Sequence, residues 1–418
     1  MKSFDILRSA LFAIALLGCD TALVAPSAHA ADAVTRWSEF AIRPNEEGDY
    51  DWHSVVLMHA AIHDTLNAIC PRFAPWTDRS SAGSPVEPTR DADPEAAVAA
   101  AAHAILAAVA SPDDRPKVDA LLAAALDPVP DRPGKRAGVE LGRAIAARTG
   151  ARRAADYRVA LNDFSTGSEP GVWQPTPPFF LIGKVGRYQP FAFSLDEPAP
   201  LPPPPTLGSS AYVDAVAEVR EMGALESARR TPAQTSAALF WAKQNSQRNF
   251  HALAIRLLAA KPGAPDLWLS ARVMALMSFA MSDSVILAWP AKERFHFWRP
   301  ITAIRAGGFG VAAERGWQPL IPTPTHPDHP SGHATDCAAG ARLLELLFVP
   351  TSEPVRFIAI DADGTPAREF AKFDAIAEEC ASSRMWAGVH FSTANQAGKI
   401  LGRAVADRVV GTMLRPLQ

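Results

Sequence analysis

The sequence predicts an all-α protein: two helical bundles joined by a proline-rich connection, with a candidate anion site in the second. Three observations carry this. Apolar residues recur at helical spacing through most of the chain, alternating strand patterns are nearly absent, and Ala is abundant while only 4 Tyr occur. The 37 Pro are about twice the usual share and require long connecting segments between helices. At 418 residues the chain has room for two to three domains or one large one. Its 41 basic and 44 acidic side chains nearly cancel, which argues against a nucleic-acid binder driven by bulk charge.

The elements follow in chain order. Lys2 and Arg8, the apolar run LFAIALL at 11–17 and Ala28-His29-Ala30 read as a secretory signal peptide over 1–30. This predicts an exported protein, periplasmic or secreted. Leu16-Leu17-Gly18-Cys19 offers a rival reading, a lipoprotein signal that would anchor the protein through Cys19. Residues 31–205 form the N-terminal helical half and its connector; 206–418 form the C-terminal bundle. Helices are predicted over 53–69, 95–110 and 134–149. Residues 160–205 are irregular and end in a stiff run, Pro202 to Pro205. Thr231-Pro232-Ala233-Gln234 is a capping box that opens a helix. Further helices are predicted over 271–289, stopped by Pro290, and over 334–348, 368–385 and 394–413. The stretch 273–289 is interrupted by Asp283, and no mature segment reaches about 18 uninterrupted apolar residues. Cys70, Cys337 and Cys380 permit at most one internal disulfide. Cys337 and Cys380 can face each other near the candidate site, and their pairing stays open.

The chemistry concentrates in the last third. Lys292 and Arg299 are seven residues apart, which on a continuous helix places both cations on one face. Pro330-Ser331-Gly332-His333 places Ser331 at a helix N-cap, with the free N–H groups of the first turn open to an anion. Ser383-Arg384-Met-Trp-Ala-Gly388-Val-His390 adds a third cation and a second imidazole. A tetrahedral oxyanion suits this set. Two unit charges about 4 Å apart attract by roughly 4 kcal/mol at an effective dielectric near 20.

Other readings accompany these residues. His326-Pro-Asp328-His329-x3-His333 has metal-ligand spacing, yet a zinc hydrolase needs a further His pair that is not nearby. His59 and His63, one helical turn apart, read as core or helix-surface residues before they read as ligands. His296, Phe297 and Trp298 read as packing residues. His329 reads equally as a support of the pocket or as a loop residue.

Lys-x6-Arg-Pro, Pro-Ser-Gly-His and Ser-Arg-x3-Gly-x-His, in this order, resemble the superfamily of type 2 phosphatidic acid phosphatases and vanadium-dependent haloperoxidases. Residues 56–69 and 297–305 resemble its soluble, exported bacterial haloperoxidase-like branch, and the likeness extends over 34–410. The resemblance implies vanadate as cofactor, with phosphate able to occupy the same site. It implies that Lys292, Arg299 and Arg384 bind equatorial oxygens, helped by the Ser331 hydroxyl and the Gly332 N–H. His390 would be the axial vanadium ligand and His333 the acid/base. Trp289 matches a pocket-wall position, and His326 a position linked to halide handling, where His is compatible with bromide oxidation. The implied reaction is oxidation of halide by hydrogen peroxide to hypohalous acid, which halogenates a small organic substrate; vanadate acts as Lewis acid, His333 takes a proton and Lys292 polarises the peroxide. The alternative is a phosphatase forming a phosphohistidine at His390. Phosphatase members carry Asp four residues after that His; here the position is Ala394, which weakens that alternative and removes one support for the His390 tautomer. Nucleic acid and a membrane span in the mature chain are not expected as partners, and the oligomeric state is not legible.

Overall fold

The computed structural model describes residues 32–43, 52–77, 89–194, 196–263, 266–348, 354–358 and 367–417. The signal peptide over 1–30 and Cys19 lie outside the described residues. Helices dominate, as the composition predicts. In the first part these are α1 (Ala33–Ile42), α2 (Trp52–Ile69), α3 (Pro94–Val109), α4 (Arg115–Leu126) and α5 (Pro133–Arg152). A connector over 153–209 carries one small antiparallel ribbon, β1 (Asn162–Asp163) with β2 (Lys184–Val185). Then come α6 (Ser210–Met222), α7 (Pro232–Ala242), α8 (Ser246–Ala259), α9 (Leu267–Phe295), α10 (Pro300–Ala306) and α11 (Gly332–Leu347). A second ribbon pairs β3 (Val355–Phe357) with β4 (Arg368–Phe370), followed by α12 (Phe373–Trp386) and α13 (Ser392–Thr412).

Helix starts follow ordinary capping chemistry. Asp32, Asp93, Ser209 and Asn245 each accept an N–H of the first turn, and Thr231 and Gln234 form the reciprocal box read from the sequence. Three expectations are corrected. First, α9 does not stop at Pro290 but runs on to Phe295. Proline removes only one helical hydrogen bond, and the burial of Ala291 and Lys292 just beyond it outweighs that loss. Second, Lys292 and Arg299 do not share a helical face. His296 ends α9 in a left-handed conformation (φ 48°), and Arg299 is the N-cap of α10. Third, 368–385 is not one helix. Arg368–Phe370 pairs with Val355–Phe357, burying Phe357 and Phe370 on one side, and α12 begins at Phe373.

One core unites the two sides of the connector, drawing residues from α1, α2, α3, α8, α9, α11 and α13. Long and apolar enough by composition to cross a membrane, α9 has 78% of its most apolar window buried inside the protein. Hydrogen bonds between the halves lie inside this core. His59 on α2 bonds Ser38 on α1 (2.8 Å) and Ser278 on α9 (2.7 Å); Ser278 also bonds His251 on α8 (2.9 Å). His63 bonds Asp64 and Asn67. Both histidines are therefore partnered core residues, and among the described residues no group of His, Cys, Asp and Glu could hold a metal ion. The connector is fastened to α9 by Asp283, which accepts the N–H groups of Phe191 (2.7 Å) and Ala192 (2.8 Å).

Close helix contact sets the position of the candidate site. The start of α11 lies against α13 at Gly398 and Gly402. A Cβ at Gly398 would stand 2.6 Å from the Ser331 carbonyl, and one at Gly402 would collide with that of Thr335. Cys337 on α11 and Cys380 on α12 form a disulfide (Cα–Cα 6.5 Å), settling the open pairing; Cys70 is free and exposed.

Two predictions follow from this packing. Gly402→Val should lower unfolding free energy by about 3 kcal/mol in urea titration, since the nearest groups it meets, the Thr335 carbonyl and the Ala339 N–H, are backbone. The second concerns His251, whose pKa burial lowers to about 4. The unfolded chain takes up a proton near pH 6.5 that the fold refuses, so this residue's contribution to stability is lost as pH falls from 6.5 to 4. The difference in unfolding free energy between wild type and His251→Leu should shrink by up to about 3 kcal/mol over that window.

Candidate anion site

Every motif in the last third reaches one place. The end of α9 brings Trp289 and Lys292, the turn into α10 brings Arg299, and the loop 326–331 leads into α11 with Ser331, Gly332 and His333. Arg384 lies in the last turn of α12, and His390 sits in the tight link to α13, where Gly388 takes φ 78°. A Cβ at Gly388 would stand 2.8 Å from Pro319, so this approach requires glycine.

Lys292 and Arg299 are fully buried and Arg384 nearly so. Burial, and then Arg299, drive the Lys292 ammonium well below its ordinary pKa; Arg299 is lowered to about 10 and Arg384 to about 9. Desolvation by burial is the common cause, and repulsion from Arg299 adds to it at Lys292 and Arg384. Backbone carbonyls offset part of it. Lys292 Nζ donates to Pro327 (3.0 Å), Asp328 (3.3 Å) and Pro330. Arg299 donates to the carbonyls of His326 (2.8 Å) and Val389 (2.5 Å), and its Nη2 lies 3.1 Å from His326 Nδ1. Both side chains thus clamp the motif loops in place. Arg384 differs: its Nε and Nη1 are buried with no hydrogen-bond partner in the protein. Ser331 occupies the N-cap position but its hydroxyl caps nothing and is likewise unpartnered. Beside it the first-turn N–H groups of α11 lack helical acceptors. Gly332 is pressed against the Trp289 ring, where a Cβ would approach to 3.2 Å.

Among the described residues the carboxylate in contact with the cluster is Asp328, which the sequence offered only within a run of metal-ligand spacing and not as a residue of the anion site. Its Oδ1 lies 2.9 Å from His390 Nδ1 and 3.9 Å from Arg299 Nη1. Burial pushes Asp328 up to about 7, against the pull of Arg299 and Lys292. Burial first, and then the three cations, hold His390 neutral. Arg299 Nη1 is 3.0 Å from His390 Nε2. A donor on Nε2 and an acceptor on Nδ1 select the tautomer with its proton on Nδ1 and a lone pair on Nε2. The tautomer support that Ala394 cannot give therefore comes from another loop. The signal in the sequence was an acidic residue inside a run otherwise built to hold anions.

The remaining residues line the mouth or brace it. His333 is half-buried and bonds the Trp241 backbone. Burial, Arg384 and the other cations lower its pKa well below the ordinary value. The His326 ring stands between those of Trp289 (5.4 Å) and Phe164 (6.4 Å). His329 does not enter the pocket: its Nε2 bonds the Pro202 carbonyl (2.9 Å) and ties the polyproline run to the motif loop. His326, Asp328, His329 and His333 thus have separate partners and do not converge on a metal. His296 bonds the Ser165 carbonyl, and Phe297 and Trp298 are core residues.

Three positive groups, three orphaned donor atoms on Arg384 and Ser331, and a helix N-terminus fit an oxyanion. Replacing Arg384 with Leu removes a buried, partly unpartnered charge. In protein stripped of anions by dialysis, Arg384→Leu should raise unfolding free energy by about 1–3 kcal/mol. The same variant should lose the stabilisation that orthovanadate or phosphate gives the wild type, which is about 2.7 kcal/mol at 100 times Kd. Calorimetric scans of both proteins with and without anion check both signs.

Residues 272–418 match the family described as the VCPO second helical-bundle domain. The chain is 29% identical over 352 residues to vanadium chloroperoxidase of Curvularia inaequalis, covering 67% of this chain and 58% of that protein. Its fold is similar to that of a bacterial vanadium-dependent iodoperoxidase, with a TM-score of 0.69 at 22% identity, covering 92% of this chain and 97% of the other. It is also similar to a bacterial vanadium-dependent chloroperoxidase, with a TM-score of 0.63 at 18% identity, covering 86% and 92% of the two chains. The matched stretch, which resembles the second helical-bundle domain of that family, opens within α9 and takes in every cation, hydroxyl and imidazole of the anion site.

Proposed function

We propose that this protein is an exported vanadate-dependent haloperoxidase that oxidises halide with hydrogen peroxide and passes the halogen to a small organic acceptor. The observation that carries the reading is the pairing of orphaned donors, on Arg384 and Ser331, with a neutral His390 whose Nε2 carries a lone pair. The donors suit the oxygens of an oxyanion, and the lone pair suits a bond to its central atom.

In this reading Arg384, the Ser331 hydroxyl and the Gly332 N–H bind the oxygens directly. Lys292 and Arg299 supply positive charge from behind, and Lys292 reaches the anion by releasing one of its three carbonyl contacts. Asp328 holds the His390 ring through Nδ1–H so that Nε2 faces the anion. His333, neutral through burial and the neighbouring cations, accepts a proton from incoming hydrogen peroxide. Vanadate bound here supplies Lewis-acid activation of the peroxide. Trp289 and His326 border the mouth through which halide enters.

Asp328 also bears on the second reading. A phosphatase using His390 as nucleophile needs a carboxylate behind the ring, and Asp328 supplies it despite Ala394. The same residues therefore support phosphohistidine chemistry, with His333 protonating the leaving oxygen.

The two readings separate on one stripped preparation of the mature chain. Bromination of a phenolic dye by peroxide and bromide should appear on adding orthovanadate. It should fall by at least about 100-fold in His390→Ala, the scale of losing a metal ligand or its direct support. Hydrolysis of an aryl phosphate, inhibited by vanadate and without bromination, would replace the haloperoxidase with the phosphatase. Lipid labelling of Cys19 in secreted material, or its absence, separates an anchored from a free exported protein.

A further inference from the structure

A cleft of about 830 Å³ opens between the connector and the end of α9. That volume is in the range that holds small organic ligands. Its α9 wall is Leu287, Pro290, Ala291 and Arg294, which recur at helical spacing and share one face. Trp289 and Lys292 lie on the opposite face, where they meet Gly332 and the carbonyls of Pro327, Asp328 and Pro330. The cleft and the anion site thus stand back to back across the last turns of α9. Nothing in the proposed halide oxidation uses the cleft.

The connector supplies the facing wall. Val159, Ala160 and Val185 form its apolar part, and Val185 is packed from behind by Phe164 and Trp173. The charges around this apolar space are unevenly answered. Asp163 is paired with Lys184 and Glu197 with Arg408 (3.1 Å), while Glu293 accepts the Ser165 hydroxyl (2.5 Å). Asp196 is exposed and unpaired among the described residues. Arg187 and Arg294 are also exposed, and among the described residues neither makes a hydrogen bond or an ion pair; Arg294 only covers the Phe295 ring. Two free guanidiniums border the cleft against one free carboxylate.

We propose that this cleft is a second binding site, for an organic monocarboxylate with an apolar ring or chain. The apolar body lies between Leu287 and Ala291 on one side and Val159 and Val185 on the other. The carboxylate meets the Arg187 and Arg294 guanidiniums, whose planar forks match it. Two other ligand classes fit less well. A cationic amphiphile finds Asp163 and Glu197 already held by Lys184 and Arg408. A small inorganic anion leaves the apolar walls unused. Binding here needs neither peroxide nor vanadate, so the proposal stands apart from the halide oxidation.

The test titrates 2-naphthoate, 2-naphthamide and 2-naphthylmethylamine into the mature chain by calorimetry, in phosphate buffer that competes for the anion site. The naphthoate should bind at one equivalent and at least about tenfold more tightly than the amide, since a charged acceptor strengthens the hydrogen bonds of the guanidiniums. In Arg187→Gln/Arg294→Gln that preference should vanish while the amide binds as in wild type. Ala160→Trp, which fills the cleft, should weaken the naphthoate and the amide alike. Both arginines are at the surface, so the stabilisation given by orthovanadate should be the same in the double variant as in wild type. Equal affinity for naphthoate and amide in wild type overturns the proposal, as does tightest binding of the amine. Naphthoate binding that survives the double arginine variant but is lost in Arg384→Leu also overturns it, because the ligand then sits in the anion site. No binding of any of the three overturns it outright.

Discussion

The cost of burying three cations in one place governs the C-terminal half. Lys292, Arg299 and Arg384 sit within one another's fields, with Asp328 as the carboxylate in contact among the described residues. Burial removes hydration from each charge, and at an effective dielectric near 20 any two like charges about 6 Å apart would repel by nearly 3 kcal/mol. The local architecture responds to that load. Backbone carbonyls of Pro327, Asp328, Pro330, His326 and Val389, with the His326 and His390 rings, face Lys292 and Arg299. The loop 326–331 therefore serves as a counter-charge in its own right, made of carbonyl dipoles. Arg384 and Ser331 are left with donors to spare, so the unresolved part of the electrostatics is concentrated where a ligand can answer it.

The rest of the fold keeps that loop still. The connector holds it from both sides of its start, through Gly183 to Thr325 just before the loop and through Pro202 to His329 within it. It also meets the link after α9, where the Trp173 N–H donates to His296 and the Trp298 N–H to Gly171. The N-terminal helices reach the site through α9, which they share as a core element. The hydrogen-bonded series Ser38, His59, Ser278 and His251 fixes the register of four helices at once. A buried polar series of this kind specifies geometry more than it adds stability.

Much of this was legible beforehand, and the gaps have physical reasons. Helical periodicity and Pro placement located α2, α3, α5, α11 and α13 to within a few residues, because each has an apolar face or a capping signal. Motif order brought Lys292, Arg299, Ser331, Arg384 and His390 to one place. Spacing alone misled at Lys292 and Arg299, since seven residues imply a shared face only on an unbroken helix, and His296 breaks it. Pro290 misled in the opposite direction, because tertiary burial of Lys292 carries the helix past it. Asp328 was legible only as part of a run with metal-ligand spacing, because its role depends on a contact with His390 across 62 positions of chain, which no local pattern encodes. Short apolar segments such as 368–370 do not distinguish strand from helix without their partner strand.

The Cys337–Cys380 bond joins α11, which opens with Ser331 and Gly332, to α12, which ends with Arg384. The two helices with unpartnered donors are thus linked both along the chain and across the bridge. A single cut by a protease anywhere between residues 338 and 379 would leave them on one covalent body. The region between the two cysteines can therefore be nicked, lengthened or replaced over evolutionary time without the two halves of the anion cradle drifting apart.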